Sequence, residues 1–201
     1  MARPREFDEE RVLSAALQVF WARGYDATSV DDLTARMGIR KASLYNTFGD
    51  KRALFTRALT AYQRETLGWY RGLLERPGSA RAAIAGLFTL LTAPPGAGME
   101  NRGCLCVNSL VELAPTDRQI ARQLHRHDGQ VEELFVAALR RGKRAGEFSR
   151  TLDARATARF LQNALAGLAV ARKSGADSAR LRDIVRVTLS VLRAPGSGPR
   201  P

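Results

Sequence analysis

Hydrogen-bond donors are concentrated in a short segment near the N-terminus. Side chains that donate hydrogen bonds occupy six positions there: Arg40, Lys41, Ser43, Tyr45, Asn46 and Thr47. The apolar residues Ile39, Leu44 and Phe48 fall between them with the spacing of a helix that buries one face. Arginine and lysine donate to guanine O6 and N7, and asparagine can pair two-fold with adenine. A short helix exposing these donors therefore has the chemistry needed to read the edges of DNA bases.

A reading helix also needs contacts to the phosphate backbone, which fix its register on the duplex. Tyr45 and Thr47 carry hydroxyls at the flank of the predicted helix, and Lys51 follows its end. Thr28 and Ser29 precede another predicted helix, whose N-terminus attracts anions. We therefore predict phosphate contacts at these five residues, with Arg40, Lys41, Ser43 and Asn46 available to the bases.

Two short helices joined by a glycine turn are predicted to position these side chains. Ser29 is placed to cap the first helix, and Asp32 three residues later gives an aspartate version of the capping box. Gly38 stands where that helix must end in a left-handed conformation. The second helix opens at Arg40. The spacing fits both a DNA-binding helix-turn-helix and a plain helical hairpin with a solvated face.

Four sequence motifs favour the helix-turn-helix over the plain hairpin, because they resemble those of a known protein family. They are G-Y-x-A-T-S-V-x-x-L at 24–33, M-G-I at 37–39, S-L-Y-x-x-F-x-D-K at 43–51 and A-L-F at 53–55. Together they resemble the N-terminal domain of the TetR family of one-component transcriptional regulators, over about the first 60 residues. The resemblance implies DNA contacts at Thr28, Ser29, Lys41, Ala42, Ser43, Tyr45, Asn46, Thr47 and Lys51. Many relatives carry another residue at Asn46, so the resemblance does not imply an operator sequence.

Hydrophobic periodicity predicts an all-α fold without strands. The first helix is expected to be capped by Asp8 and to end at Gly24. The later helices are predicted at 51–76, 83–92, 104–114, 115–144, 153–173 and 178–193, with a Gly- and Pro-rich loop at 93–103. We expect a DNA-binding domain at 1–50, a helical ligand-binding and dimerisation domain at 51–193, and a disordered tail at 194–201.

The chain is strongly basic, with 32 Lys and Arg against 20 Asp and Glu and a net charge of +12. Residues 1–60 hold 10 basic and 8 acidic residues, so most of the excess positive charge lies outside the predicted DNA-binding domain. Solubility or a bias toward arginine explains this excess, and a second nucleic-acid surface is the alternative. No 18-residue apolar run or signal-peptide core is present. We expect a cytoplasmic protein with no membrane partner.

A homodimer is expected, because a two-fold protein reads half-sites about 34 to 36 Å apart or a multiple of that distance. The last two long helices carry apolar faces suited to a four-helix interface, which is where the family usually dimerises. The predicted interface residues are Leu161, Leu165, Leu168, Val185, Leu189 and Leu192. The alternative is that these faces only close the core of the monomer.

The resemblance also implies a small-molecule inducer bound among the helices between residues 61 and 150. Candidate lining residues are Trp69, Phe88, Cys104, Asn108, Val111 and Phe135. The protein would then be a repressor that binds a palindromic operator and is released by its inducer. Such release requires an inducer that binds more tightly to the conformation of the dimer in which its two recognition helices no longer fit DNA.

Two cysteines and two histidines provide the remaining reactive groups. Their C-x-C and H-x-H spacing matches none of the common zinc patterns, so we expect neither a metal nor a cofactor. Cys104 follows Gly103 at a predicted helix N-terminus, where a thiolate is favoured. A regulator that senses oxidants or electrophiles through Cys104 is therefore an alternative. No catalytic triad or phosphate loop indicates an enzyme, and a helical thiol redox enzyme that does not bind DNA is the remaining alternative.

Overall fold

A computed structural model of the chain describes residues 8–93 and 102–192. Within these ranges the protein consists of nine α-helices with no strand, which confirms the predicted all-α fold. The helices are α1 (Glu9–Arg23), α2 (Val30–Met37), α3 (Lys41–Phe48), α4 (Lys51–Leu74), α5 (Ala80–Leu90), α6 (Leu105–Glu112), α7 (Arg118–Arg144), α8 (Ala154–Lys173) and α9 (Ser178–Leu189). A short 3-10 turn, Ser190–Leu192, follows α9.

Short polar side chains fix where several helices begin. The Asp8 carboxylate accepts hydrogen bonds from the backbone N–H groups of Glu10 and Arg11, and caps α1 as predicted. Ser29 caps α2, and the capping box with Asp32 is complete. Each cap provides acceptors for N–H groups that have no partner inside the helix. The beginnings of α1 and α2 are thus encoded locally.

Two helix starts differ from the sequence prediction, and capping explains both. Ser79 accepts a hydrogen bond from the Ala82 N–H, so α5 begins directly after it rather than at residue 83. The Asp117 carboxylate accepts from the N–H groups of Gln119 and Ile120, which places the start of α7 after 117 rather than at 115. Most of the predicted 93–103 loop and the tail at 194–201 lie outside the described residues.

The chain divides into two compact units. The first comprises the described residues up to Glu65 together with Leu105–Leu124, and so includes α1, α2, α3, most of α4, and α6. Aromatic rings form part of its core: Phe20 meets Phe55 edge to face with ring centroids 5.1 Å apart, and Tyr25 packs on Phe55 at the same distance. The predicted domain division at residue 50 stays a prediction.

The second unit comprises Thr66–Cys104 and the described residues from His125 onward. Its apolar core draws on the end of α4 and on α5, α7, α8 and α9. Gly142 on α7 permits one close contact in this core, since a Cβ atom built there would lie 2.2 Å from a carbon of the Phe148 ring. The absence of a side chain at residue 142 therefore makes room for the aromatic ring.

The apolar faces predicted to form a dimer interface lie inside the second unit. Leu161, Leu165, Leu168, Val185 and Leu192 are buried in the core of the monomer, and Leu189 is partly buried against it. The five buried side chains are consequently not on the surface of the monomer, and the assignment of the interface to them is corrected, whereas Leu189 stays a prediction. The same two helices and the turn after α9 expose other apolar side chains: Phe160, Val170, Val187 and Val191.

Replacing Gly142 by alanine is expected to destabilise the protein despite the higher helix propensity of alanine. The added methyl would overlap Phe148, and overpacking of this kind costs about 1 to 3 kcal/mol. Gly129 on the same helix is the matched control, because a Cβ atom there meets nothing within 4 Å. Gly129→Ala should stabilise by about 0.5 to 1 kcal/mol. Urea denaturation of both variants measures the difference, and equal effects would refute the packing role of Gly142.

Candidate nucleic-acid interface

The angle between α2 and α3 is set by a glycine turn and a shared apolar core. Gly38 adopts φ 67° and ψ 34°, the left-handed conformation that ends α2 as predicted, and its N–H donates to the Thr34 carbonyl. Leu33, Met37 and Leu44 are fully buried. Because left-handed geometry is costly for residues with a Cβ atom, glycine allows α2 and α3 to be separated by only three residues.

One side of α3 faces the core and the other faces solvent. Leu44 and Phe48 are buried, in agreement with their predicted core role. The Tyr45 side chain is 48% exposed. The other predicted contacts around this helix are exposed or partly exposed: Arg40, Lys41, Ala42, Ser43, Asn46 and Thr47. The structure thus brings the predicted donors together on one accessible helical surface.

Two lysines on this surface have nearby partners. Lys41 at the start of α3 forms a salt bridge of 2.7 Å with Asp31 on α2, and the hydrogen bond that its ammonium donates to this carboxylate raises the pKa of Lys41. The Lys51 ammonium lies 4.3 Å from the centroid of the Tyr25 ring, a cation–π geometry. Both ammonium groups are held near the ends of α3 at positions from which contacts to DNA are predicted.

Thr28 differs from its predicted role. Its side chain is 1% exposed, and its hydroxyl donates to the Gly24 carbonyl at 2.6 Å. A buried hydroxyl with an internal partner is not available to a phosphate, so we correct its role to stabilising the turn before α2. Ser29 remains exposed, but its hydroxyl bonds to Asp32 within the capping box.

A carboxylate from α6 holds the turn between α1 and α2. The two oxygens of Glu112 accept hydrogen bonds from the backbone N–H groups of Tyr25 at 3.1 Å and Asp26 at 2.8 Å. Gly24, with φ 86°, lies so close that an added Cβ would be 2.9 Å from one of these oxygens. This contact joins residues 87 positions apart, and no local pattern in the sequence signals it.

A second carboxylate anchors the beginning of α4. Arg52 donates to both oxygens of Asp117, with distances of 2.8 and 3.0 Å, and also to the side chain of Gln119. The hydrogen bond from Arg52 lowers the pKa of Asp117 to about 2. Bidentate pairing of this kind fixes geometry as well as charge. Glu112 and Asp117 together brace the first unit at its α1–α2 turn and at the start of α4.

Comparison with known proteins identifies the relationship. The profile described as bacterial regulatory proteins of the tetR family matches residues 12–58, and that of the Tetracyclin repressor-like C-terminal domain matches residues 81–188. The uncharacterized HTH-type transcriptional regulator YezE of Bacillus subtilis is 38% identical over 197 residues, which is 96% of this chain and 100% of YezE. The chain belongs to the TetR family of transcriptional regulators. Its members and these relatives are regulators rather than enzymes.

Other TetR-family proteins match most of the chain. The HTH-type transcriptional repressor ComR of Escherichia coli is 28% identical over 93% of this chain and 90% of its own length. A cysteine mutant of the TetR family transcriptional regulator CifR, solved in complex with 26bp double-strand operator DNA, aligns with a TM-score of 0.85. It is 33% identical and covers 96% of this chain and 100% of CifR. The helix-turn-helix described above is thus the DNA-binding element of a TetR-family protein.

The predicted inducer-binding residues differ widely in burial. Phe88 and Phe135 are buried in the core of the second unit, and Trp69 is 41% exposed. Cys104 and Asn108 are partly exposed. Val111 is 75% exposed on α6, which fits a surface position better than the lining of a pocket. The inducer pocket of this TetR-family protein therefore stays a prediction, without Val111.

The two cysteines lie at the beginning of α6. Cys104 immediately precedes α6, as expected of a residue at its N-terminus, and Cys106 is buried in the first turn of that helix. Among residues 8–93 and 102–192, no three His, Cys, Asp or Glu side chains form a group able to hold a metal ion. None of the helices in this part of the chain has the length and apolarity required to span a bilayer.

The Arg52–Asp117 pair predicts a pH-dependent contribution to stability. Because the folded-state pKa of Asp117 is about 2 against a reference of 3.8, the pair stabilises the fold above pH 3.8 and is lost as pH falls toward 2. Asp117→Asn retains a capping side chain and should cost roughly 1 kcal/mol at pH 7 after solvent screening. Thermal melts from pH 7 to 2.5 measure this. Asp183→Asn, in a more exposed pair with Arg186, should cost less, and a pH-independent effect of Asp117→Asn would contradict the assignment.

Proposed function

We propose that this TetR-family regulator binds a palindromic DNA operator as a homodimer, represses transcription there, and is released by a small-molecule inducer in the cytoplasm. The main observation in support is the α3 surface, whose donors are exposed while Leu44 and Phe48 are buried. CifR crystallised on operator DNA, and the relatives ComR and BdcR of Escherichia coli are named as repressors. BdcR is 47% identical over 60 residues, a length that fits the helix-turn-helix region.

Each exposed group around α3 has a chemical role in this proposal. Arg40 and Lys41 lie at the N-terminal end of the helix, where side chains reach base edges, and Asn46 is one turn further along. Tyr45, Thr47 and Lys51 donate to phosphates, with Lys51 positioned by the Tyr25 ring. Ala42 and Ser43 are small enough for the helix to approach the major groove. To reach DNA, Lys41 must exchange the Asp31 carboxylate for a phosphate or a base.

Alanine variants should distinguish residues that contact phosphates from residues that contact bases. Tyr45→Ala and Lys51→Ala are expected to weaken binding to cognate and unrelated DNA alike, and Lys51→Ala should reduce the salt slope by about 1. Asn46→Ala should relax the choice at one base position at a cost of about 1 to 3 kcal/mol on the cognate site. Fluorescence anisotropy with the upstream intergenic DNA of the gene measures all three. Uniform weakening by Asn46→Ala would contradict its assignment to a base.

The proposed dimer interface uses the outer faces of α8 and α9. Phe160 and Val170 on α8 and Val187 on α9 expose apolar surface, and Val191 extends it beyond α9. Large apolar side chains exposed together on neighbouring helices are typical of an association surface. The residues first predicted for the interface support these helices from within the core. A rigid two-fold assembly of this kind is what half-sites one turn of DNA apart require.

Charging the outer face should dissociate the dimer without unfolding the chain. Val187 is 60% exposed, so Val187→Arg is tolerated in the monomer but places a charge without a partner in the proposed interface. Sedimentation equilibrium should show a monomer, and operator affinity should fall at least tenfold. Leu90→Arg is the control, since Leu90 is 50% exposed on α5. An unchanged dimer in the Val187 variant would exclude this face.

Release by an inducer follows from differential binding. A ligand shifts the protein only by the difference between its affinities for the DNA-compatible and incompatible arrangements. Phe88 and Phe135 offer apolar contacts in the second unit, and Trp69 offers a partly exposed ring. Asn108 and Cys104 supply polar groups at α6 and directly before it. These five residues are the candidates that the proposal retains.

A thiol-sensing regulator is the second candidate function. Cys104 is partly exposed immediately before α6, the helix whose Glu112 holds the α1–α2 turn. The CifR protein that crystallised on its operator carried substitutions of cysteines. Under this second proposal the Cys104 thiolate attacks an electrophile and forms a thioether. The bulk of the adduct at the start of α6 then weakens DNA binding.

Matched cysteine variants distinguish the two modes of release. If Cys104 is the sensor, N-ethylmaleimide should release operator DNA from the wild type and from Cys106→Ser but not from Cys104→Ser, because Cys106 is buried. Anisotropy before and after treatment, with mass spectrometry to count the adducts, provides the measurement. Equal release of all three proteins would discard the thiol mechanism and leave the inducer proposal intact.

A further inference from the structure

A basic pocket of about 430 Å³ lies at the turn between α7 and α8 in the second unit. The residues that line it are Arg140, Lys143, Arg144, Leu152, Asp153, Ala154 and Arg155. None of them belongs to the predicted DNA-binding surface or to the candidate inducer contacts. The pocket therefore calls for an explanation separate from both.

Three cations converge on the pocket from the last two turns of α7. Arg140, Lys143 and Arg144 are spaced i, i+3 and i+4, so their side chains share one face of the helix. Within the described part of the chain, no carboxylate forms a salt bridge with Arg140 or Arg144, and both are exposed. The helix dipole favours each cation at this end, but like charges three and four residues apart destabilise one another.

The other polar groups of the pocket already have partners. The Asp153 carboxylate accepts hydrogen bonds from the backbone N–H groups of Arg155 and Ala156, which caps α8. The Arg155 guanidinium bridges Glu132 and Glu133. Asp153 is also close enough to Lys143 for their charges to interact, so the positive charge without a compensating carboxylate resides on Arg140 and Arg144.

Lys143 is positioned for a ligand by the backbone. Its ammonium donates to the Leu152 carbonyl at 2.5 Å, which holds it at the pocket wall and leaves two of its three donors for other acceptors. The Leu152 carbonyl is a neutral acceptor, so this hydrogen bond itself does not offset the charge of the ammonium. Compared with a freely rotating surface lysine, Lys143 also loses less side-chain entropy when an anion binds.

We propose that this pocket binds a small multivalent anion of the phosphate class, such as a phosphorylated metabolite. Arginine forks at 140 and 144 match the geometry of phosphate oxygens, and the Lys143 ammonium adds a point charge beside them. The volume accommodates a phosphate ester, and Leu152 and Ala154 provide apolar contacts for its organic part. The cleft is open to solvent, but its seven lining residues all lie at the end of α7 or at the start of α8 and directly before it, a footprint that fits a compact ligand better than the extended backbone of a nucleic acid. Anion binding would thus explain part of the positive charge that lies outside the DNA-binding domain.

Ligand-induced stabilisation of the full-length protein tests this site. Thermal melts are recorded with inorganic phosphate, with inorganic pyrophosphate, and with NaCl at matched ionic strength. Pyrophosphate should raise the Tm of the wild type by several degrees in a saturable manner, and NaCl should not. The variant Arg140→Gln/Arg144→Gln should lose this rise. The control Arg122→Gln/Arg126→Gln should keep it, because it removes two exposed arginines of the same spacing on the same helix, away from the pocket.

The outcomes that would overturn the proposal are distinct. An equal loss of the pyrophosphate effect in both double variants would indicate general charge rather than a site. An equal rise of the Tm with NaCl would show that ionic strength, and not a binding site, causes the stabilisation. A third arm measures the affinity for DNA of unrelated sequence: selective weakening by Arg140→Gln/Arg144→Gln, with no pyrophosphate effect in the wild type, would assign the surface to a nucleic acid instead. Operator binding by the pocket variant should be unchanged, so failure here is separable from failure of the DNA proposal.

Discussion

The burial of Leu44 and Phe48 is the constraint on which the DNA-binding element depends. α3 is eight residues long, and an isolated helix of this length is unstable in water. Its two buried side chains hold it against the rest of the first unit, and every other residue from Lys41 to Thr47 is at least partly accessible. The same contacts that make the helix stable therefore determine which of its side chains face outward. A polar residue at either buried position would weaken the presentation of all the donors at once.

Two carboxylates extend this constraint from α3 to the rest of the first unit. Glu112 satisfies two backbone N–H groups in the turn that leads to α2, and Asp117 holds Arg52 in the first turn of α4. α4 continues from there to Leu74, where its end contributes to the core of the second unit. The position of the helix-turn-helix is consequently sensitive to any movement of α6 or of the start of α7. This is the physical reason for proposing that chemical modification of Cys104, directly before α6, alters DNA binding.

Local signals account for what could be predicted from the sequence. Asp8, Ser29 and Gly38 act within four residues of themselves, so their roles as caps follow from residue type and spacing. Long-range contacts had no such signal. The Glu112 bridge depends on a fold that brings residues 25 and 112 together, and the burial of Thr28 depends on the packing around its turn.

The outward faces of α8 and α9 show a further limit of sequence reasoning. Periodicity identified leucines on one side of each helix, but a regular apolar stripe identifies a buried face without indicating what buries it. In this protein the stripe closes the core of the second unit, whereas Phe160 and Val187 lie outside it. The less regular, exposed apolar residues are therefore the better candidates for contact with a second chain.

The central claim is that a symmetric pair of chains presents two copies of α3 to one side of a DNA duplex. Hydroxyl-radical footprinting of the protein on its upstream intergenic DNA tests this most directly. Two protected patches on the same face of the duplex, centred about 34 to 36 Å apart or a multiple of that distance, are the expected result. A single patch at saturating protein, or no protection that depends on sequence, would contradict it.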